Sequence, residues 1–133
     1  MDATNINPRQ RPKIVIVEDD HPVRRSTQLL LQAQGYSVKA FSTGVALLAD
    51  DTTLGASCLI ADYLLEDMDG IGLLLALRER GWKEPAILIT GYLTPKLVEE
   101  AKAAGFSEVL EKPVKPRALV QILTQLISGR SAS

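Results

Sequence analysis

At 133 residues the chain has the length of one domain and leaves no room for two. Its hydrophobic share of 46% and charged share of 23% are those of an ordinary globular domain. A net charge of -1 provides no global attraction to nucleic acid or to an anionic membrane, and no apolar run reaches the roughly 18 residues of a membrane span.

The N-terminus lacks the charged-then-apolar plan of a secretory signal. The single Cys58 cannot close an internal disulfide, which suits a reducing compartment and makes the cytoplasm the expected location. Cys58 itself lies in an apolar run and reads as a buried packing residue.

Met1 to Pro12 is polar, with two prolines and no periodic pattern, and reads as a flexible leader over residues 1–12. Strand-like and helix-like segments then alternate five times. Lys13 to Glu18 is the first strand, with the apolar run that a strand covered on both faces requires. Pro22 opens a helix that reaches about Gln34, with Gly35 as its left-handed stop. Tyr36 to Phe41 alternates and reads as a second, more exposed strand. Ser42 or Thr43 can cap a short helix to about Asp50. The third unit is Cys58 to Asp62, a loop to Gly70, and a helix from about Ile71 to Arg80. The fourth is Ala86 to Thr90, a loop, and a helix opened by Pro95 and closed by Gly105. The fifth is Glu108 to Glu111, then a helix from about Pro116 to Ser128 on which Leu119, Ile122, Leu123, Leu126 and Ile127 form one apolar stripe. Residues 129–133 are left as a tail, and no folded output domain is expected after it.

Five strand–helix repeats imply parallel strands joined by right-handed crossovers, hence a doubly wound α/β sheet in a three-layer sandwich. A closed eight-fold barrel needs about 250 residues, so the sheet is open. In such a sheet the C-terminal strand ends share one edge. Glu18, Asp19, Asp62, Thr90 and Lys112 converge there. Three carboxylates so close repel one another unless a cation is bound. Mg²⁺ suits them best, because it favours one or two carboxylates, several waters and a substrate phosphate. Asp62, alone at its strand end, is then the candidate nucleophile for phosphorus, giving an acyl phosphate. Lys112 and Thr90 are the cation and the hydroxyl donor that such a transfer uses.

The stretches IVIVEDD, IADYLLEDMDG, ILITG and LEKPV, in this order and spacing, make the chain resemble the response-regulator receiver domain over about Lys13 to Ser128. EDDHPVRRS, together with ILITG and EKP, is most similar to receivers of the nitrogen-fixation regulator type. The resemblance implies a flavodoxin-like strand order of 2-1-3-4-5 with the site at the C-terminal edge. It implies Asp62 as phosphoacceptor, Glu18 and Asp19 as the acidic pair serving Mg²⁺, and the backbone carbonyl of Leu64 as the remaining protein ligand. Lys112 would contact the phosphoryl group and the acidic cluster, and Thr90 would be the switch hydroxyl. A sensor histidine kinase would be the phosphodonor.

Several positions depart from the family pattern. Glu18 replaces the commoner aspartate, Glu66 the usual proline and Leu65 the usual methionine, so the loop after Asp62 is expected to be looser. Val109 replaces the aromatic that moves with the switch hydroxyl, which leaves Tyr92 as a substitute reporter on the switch surface of Thr90, Tyr92 and Val109. Leu64 and Tyr92 are both poor at orienting water, so slow loss of phosphate is expected.

Other residues carry plainer readings. Asp20 reads as a helix cap or a solvent-facing residue, His21 as an exposed turn residue, Trp82 as a partly covered loop anchor, and Arg24-Arg25 as a solvated helix face. The run Leu73 to Leu77, with Leu64, Leu65, Met68 and Leu93, is either extra core or a contact surface for a partner or a second copy.

The leading expectation is a single-domain phosphorylation switch rather than an enzyme, with no nucleic acid and no membrane among its partners and its downstream target undefined. It would label itself in the presence of Mg²⁺ and dephosphorylate slowly. The alternative is a phosphorylation-independent adaptor. A phosphatase of the haloacid-dehalogenase type would carry DxDxT after its first strand, which EDDHP does not match.

Overall fold

Parallel strands of bulky apolar residues need cover on both faces, and the chain supplies it with helices between successive strands. The computed structural model describes residues 11–132. The expected leader falls, but for its last two residues, outside the described residues. The strands are β1 (Lys13–Val17), β2 (Ser37–Phe41), β3 (Cys58–Asp62), β4 (Ala86–Thr90) and β5 (Glu108–Glu111). They form one parallel sheet in the order β2-β1-β3-β4-β5. The helices among the described residues are α1 (His21–Ala33), α2 (Gly44–Ala49), α3 (Gly70–Glu79), α4 (Pro95–Ala104) and α5 (Pro116–Ala132), with a 3-10 turn at Thr53–Gly55 that the sequence pattern did not reveal.

Side chains alternate between the two faces along each strand, and so divide the core. Val15, Leu59 and Leu88 pack with Leu73, Leu77, Leu97 and Phe106 on the side of α3 and α4. Ile14, Ile16, Ile60 and Ile87 pack with Leu31, Leu119 and Leu123 on the side of α1 and α5. Cys58 belongs to the second cluster and is fully buried.

Local signals set most helix ends. Asp20 caps α1 by accepting from Val23 N at 3.0 Å, Thr43 caps α2 through Ala46 N, and Thr94 caps α4 through Leu97 N. Gly105 ends α4 at φ +114°, a conformation that side chains with a Cβ resist.

Two expectations need correction here. The last helix runs past Ser128 to Ala132, because no proline stops it and one interior glycine, Gly129, costs only about 1 kcal/mol. Trp82 is a core residue rather than a partly covered anchor, at 3% exposure. Its Nε1–H donates to Ala56 O at 2.9 Å and the Arg78 guanidinium lies 5.1 Å from its ring centroid, so the indole is buried without losing its polar partner. The run Leu73 to Leu77 is mostly core. Leu73, Leu74 and Leu77 are buried, and only Leu75 stands half exposed on the outer face.

Candidate phosphoryl-transfer site

Register carries four chain ends to one edge of the sheet: Val17 lies beside Ala61, Asp62 beside Ile89, and Thr90 beside Glu111. Glu18 follows β1 directly, with its N–H held by Phe41 O at 3.0 Å. Lys112 follows β5 directly, with its N–H held by Thr90 O at 2.8 Å, and the Lys112–Pro113 peptide is cis.

The Lys112 ammonium joins the ends of the first, third and fifth strands. Its Nζ lies 2.8 Å from Asp62 Oδ2 and 3.1 Å from Glu18 Oε1. The other Glu18 oxygen, Oε2, accepts from Asp20 N at 3.2 Å. Glu18 and Asp62 are buried, whereas Asp19 is exposed at the rim. An oxygen from each of Glu18, Asp19 and Asp62 lies within 4.8 Å of the others.

Three carboxylates face one ammonium, so the cluster is short of positive charge. The protonation behaviour follows. Burial first, and the neighbouring Asp62 second, push the Glu18 carboxyl up to about 7, against the pull of Lys112 and Asp20 N–H. Burial disfavours the charge on Lys112, yet hydrogen bonds to Asp62 and Glu18 outweigh it, and its pKa lies above the ordinary lysine value. A cavity of about 500 Å³ between α1 and α5 is lined in part by Glu18, Asp62 and Lys112. Hard oxygen donors of mixed burial, one at the solvent edge, match what Mg²⁺ requires.

The remaining expected residues lie on β4, on β5 and on the loops after Asp62 and Thr90. Thr90 is buried at the end of β4, and its Oγ1 accepts from Tyr92 N at 3.2 Å. Leu64 and Tyr92 are 70% and 79% exposed, on the two loops that follow Asp62 and Thr90. Val109 is half buried against the α3–α4 core. The loop after Asp62, expected to be loose, is closed by Gly70 N to Tyr63 O at 2.7 Å, Leu65 N to Met68 O at 3.1 Å and a bridge between Leu64 and Asp69. Gly70 is required there, since a Cβ on it would fall 2.7 Å from Asp62 O.

Two residues escaped the sequence reading. Asp67 accepts from Gly44 N and Val45 N at 3.1 and 2.8 Å, tying the loop after Asp62 to α2, and these bonds, Val45's first, hold its carboxyl below the usual range. Arg24 is no solvated surface residue: its Nη1–H donates to Glu18 O at 2.8 Å, which a helix-face pattern alone does not reveal.

Comparison with known proteins finds matches over most of the chain. The profile of the response regulator receiver domain matches residues 14–124. The transcriptional regulatory protein FixJ of Rhizobium meliloti is 32% identical over 108 residues, covering 81% of this chain and 53% of that protein. FixJ of Azorhizobium caulinodans is 31% identical over 117 residues, covering 88% and 55%. This chain thus spans about half the length of the curated relatives it matches. Among solved structures, the BeF3-activated DrrB receiver domain superposes with a TM-score of 0.83 at 25% identity, covering 90% of this chain and 99% of that one.

Proposed function

Since this chain belongs to the response regulator receiver domains of two-component signalling, we propose that Asp62 accepts a phosphoryl group from the phosphohistidine of a sensor kinase. An Asp62 carboxylate oxygen attacks phosphorus, the phosphorus–nitrogen bond breaks, and the imidazole leaves with the electron pair. The observation that carries this reading is the Lys112 ammonium bonded to both Asp62 and Glu18, with Asp19 completing the carboxylate cluster. Glu18, Asp19, Asp62 and the Leu64 carbonyl would hold Mg²⁺, which neutralises phosphoryl oxygens when bound. Lys112 neutralises another part of that charge without reorganising, because its two partners already fix it. Thr90 is the hydroxyl donor one strand away.

Phosphorylation adds charge and acceptor oxygens that bias a two-state surface toward one partner. Thr90, Tyr92 and Val109 form that surface in this reading. The exposed side chains of Leu64, Tyr92 and Leu93 give it an apolar rim suited to a protein partner or a second copy. A second reading, a phosphorylation-independent adaptor, draws on Val109, whose short aliphatic side chain cannot carry an aromatic swing.

The deciding experiment is Mg²⁺-dependent labelling by acetyl phosphate, comparing wild type with Asp62→Asn. Labelling of wild type alone supports phosphoacceptor chemistry at Asp62. Equal labelling of both proteins, or none in wild type, overturns it.

A further inference from the structure

We propose that Arg24 is a positioning residue for the acidic pair, setting the backbone that presents Glu18 and Asp19 to a divalent cation. The inference rests on the phosphoacceptor reading above. Arg24 lies in the first turn of α1 and reaches back across the β1–α1 turn. Its Nη1–H donates to Glu18 O at 2.8 Å and, more weakly, to Asp19 O at 3.4 Å. Its Nη2–H is placed against His21 Nδ1 at 3.0 Å, so the guanidinium is held on both nitrogens. The Arg24 N–H in turn donates to Asp20 O at 2.9 Å. The guanidinium therefore binds the backbone carbonyl oxygens of Glu18 and Asp19, while the bond to Asp20 O is the ordinary first-turn helix bond of this position.

The need for such a clamp follows from the turn itself. The Glu18 side chain is secured by Lys112 and by Asp20 N, whereas the Asp19 side chain is exposed and has its placement set by its backbone. Mg²⁺ tolerates little departure from octahedral geometry, so rotation of the peptide between Glu18 and Asp19 misaligns a ligand. A planar guanidinium suits the task better than an ammonium, since its donors have a rigid, forked geometry. Its positive charge also lies next to the peptide groups of a cluster short of cations. Arg25, the neighbouring residue with the same charge, is exposed and serves as the charge-matched control.

The test is calorimetric titration of the full chain with Mg²⁺, alongside thermal unfolding without the ion. Arg24→Met is expected to bind Mg²⁺ about tenfold more weakly, as outer partners of metal ligands typically do when removed. Arg24→Lys, which keeps the charge but not the fork, should recover only part of that loss, and Arg25→Met should stay within about twofold of wild type. Arg24→Met with wild-type affinity and a lowered melting temperature would show a merely structural residue and overturn the inference. So would an equal loss in Arg25→Met, which would reduce the effect to net charge. If Arg24→Met does not fold, Arg24→Lys decides, and wild-type affinity there overturns the inference too. Absence of Mg²⁺ binding in wild type, with no labelling of Asp62, would instead bring down the phosphoacceptor reading on which this one stands.

Discussion

Lys112 Nζ donates to Asp62 Oδ2 over 2.8 Å across a sequence separation of 50 residues, and the same nitrogen reaches Glu18 from the far side. Two buried carboxylates are thereby held by one cation that keeps roughly a third of its side chain in contact with water, at 31% exposure. Lys112→Met removes the cation and leaves the carboxylates facing each other. Stability should fall by about 1–2 kcal/mol, below the range for fully buried pairs because of that exposure. Labelling of Asp62 should slow by about 100-fold, the scale for loss of one preorganised charge-stabilising group. Urea titration and acetyl phosphate labelling measure the two effects separately, and a variant as stable and as fast as wild type would contradict both.

The proton on Glu18 predicts how stability varies with pH. Its carboxyl is pushed up to about 7 from an ordinary value of 4.5, by burial first and by Asp62 second. Between these values the folded chain binds a proton that the unfolded chain has released. Without Mg²⁺, the contribution of Glu18 to stability should therefore be fully present below about pH 4.5 and be lost as pH rises through about 7, by about 3 kcal/mol in all. Added Mg²⁺ favours the ionised carboxylates, so its stabilising effect should grow over the same window. Urea unfolding at a series of pH values checks the slope, and Glu18→Gln should flatten it.

Gly70 tests how closely the β3–α3 loop is fitted to the phosphoacceptor. A Cβ at this position meets Asp62 O at 2.7 Å and Leu88 Cδ1 at 2.8 Å. The first contact is with backbone, which cannot rotate away. Gly70→Ala should cost about 1–3 kcal/mol and displace Asp62 from Lys112, weakening Mg²⁺ binding as well. Chemical denaturation and calorimetry read the two consequences. A variant with unchanged stability would mean the loop accommodates the methyl group without cost.

Phosphate lifetime should follow from the loop side chains beside the site. Leu64 and Tyr92 are both exposed, and neither can act as a base toward water. Leu64→Asn combined with Tyr92→Glu supplies polar groups at both positions. Decay of phospho-Asp62 should then accelerate by about tenfold, less than a well-placed general base provides because neither loop side chain is locked. Loss of radiolabel over time measures it. Equal or slower decay in the double variant would show that water reaches phosphorus without help from either position.

The sequence by itself determined the alternation of strands and helices and which residues end the strands. Apolar runs stopping at Glu18, Asp62, Thr90 and Lys112 encode local geometry, as do Asp20 and Thr43 at the caps and Gly105 at its left-handed turn. The family motifs supplied the strand order, which β-pairing then realised. The resemblance also implied that Lys112 meets the acidic cluster, but only the tertiary structure decided that Arg24 grips the acidic turn, that Asp67 ties its loop to α2, and that Trp82 is core. The physical reason is range. Periodicity and capping act over a few residues, whereas these contacts depend on how crossovers and register bring distant chain ends within hydrogen-bonding distance.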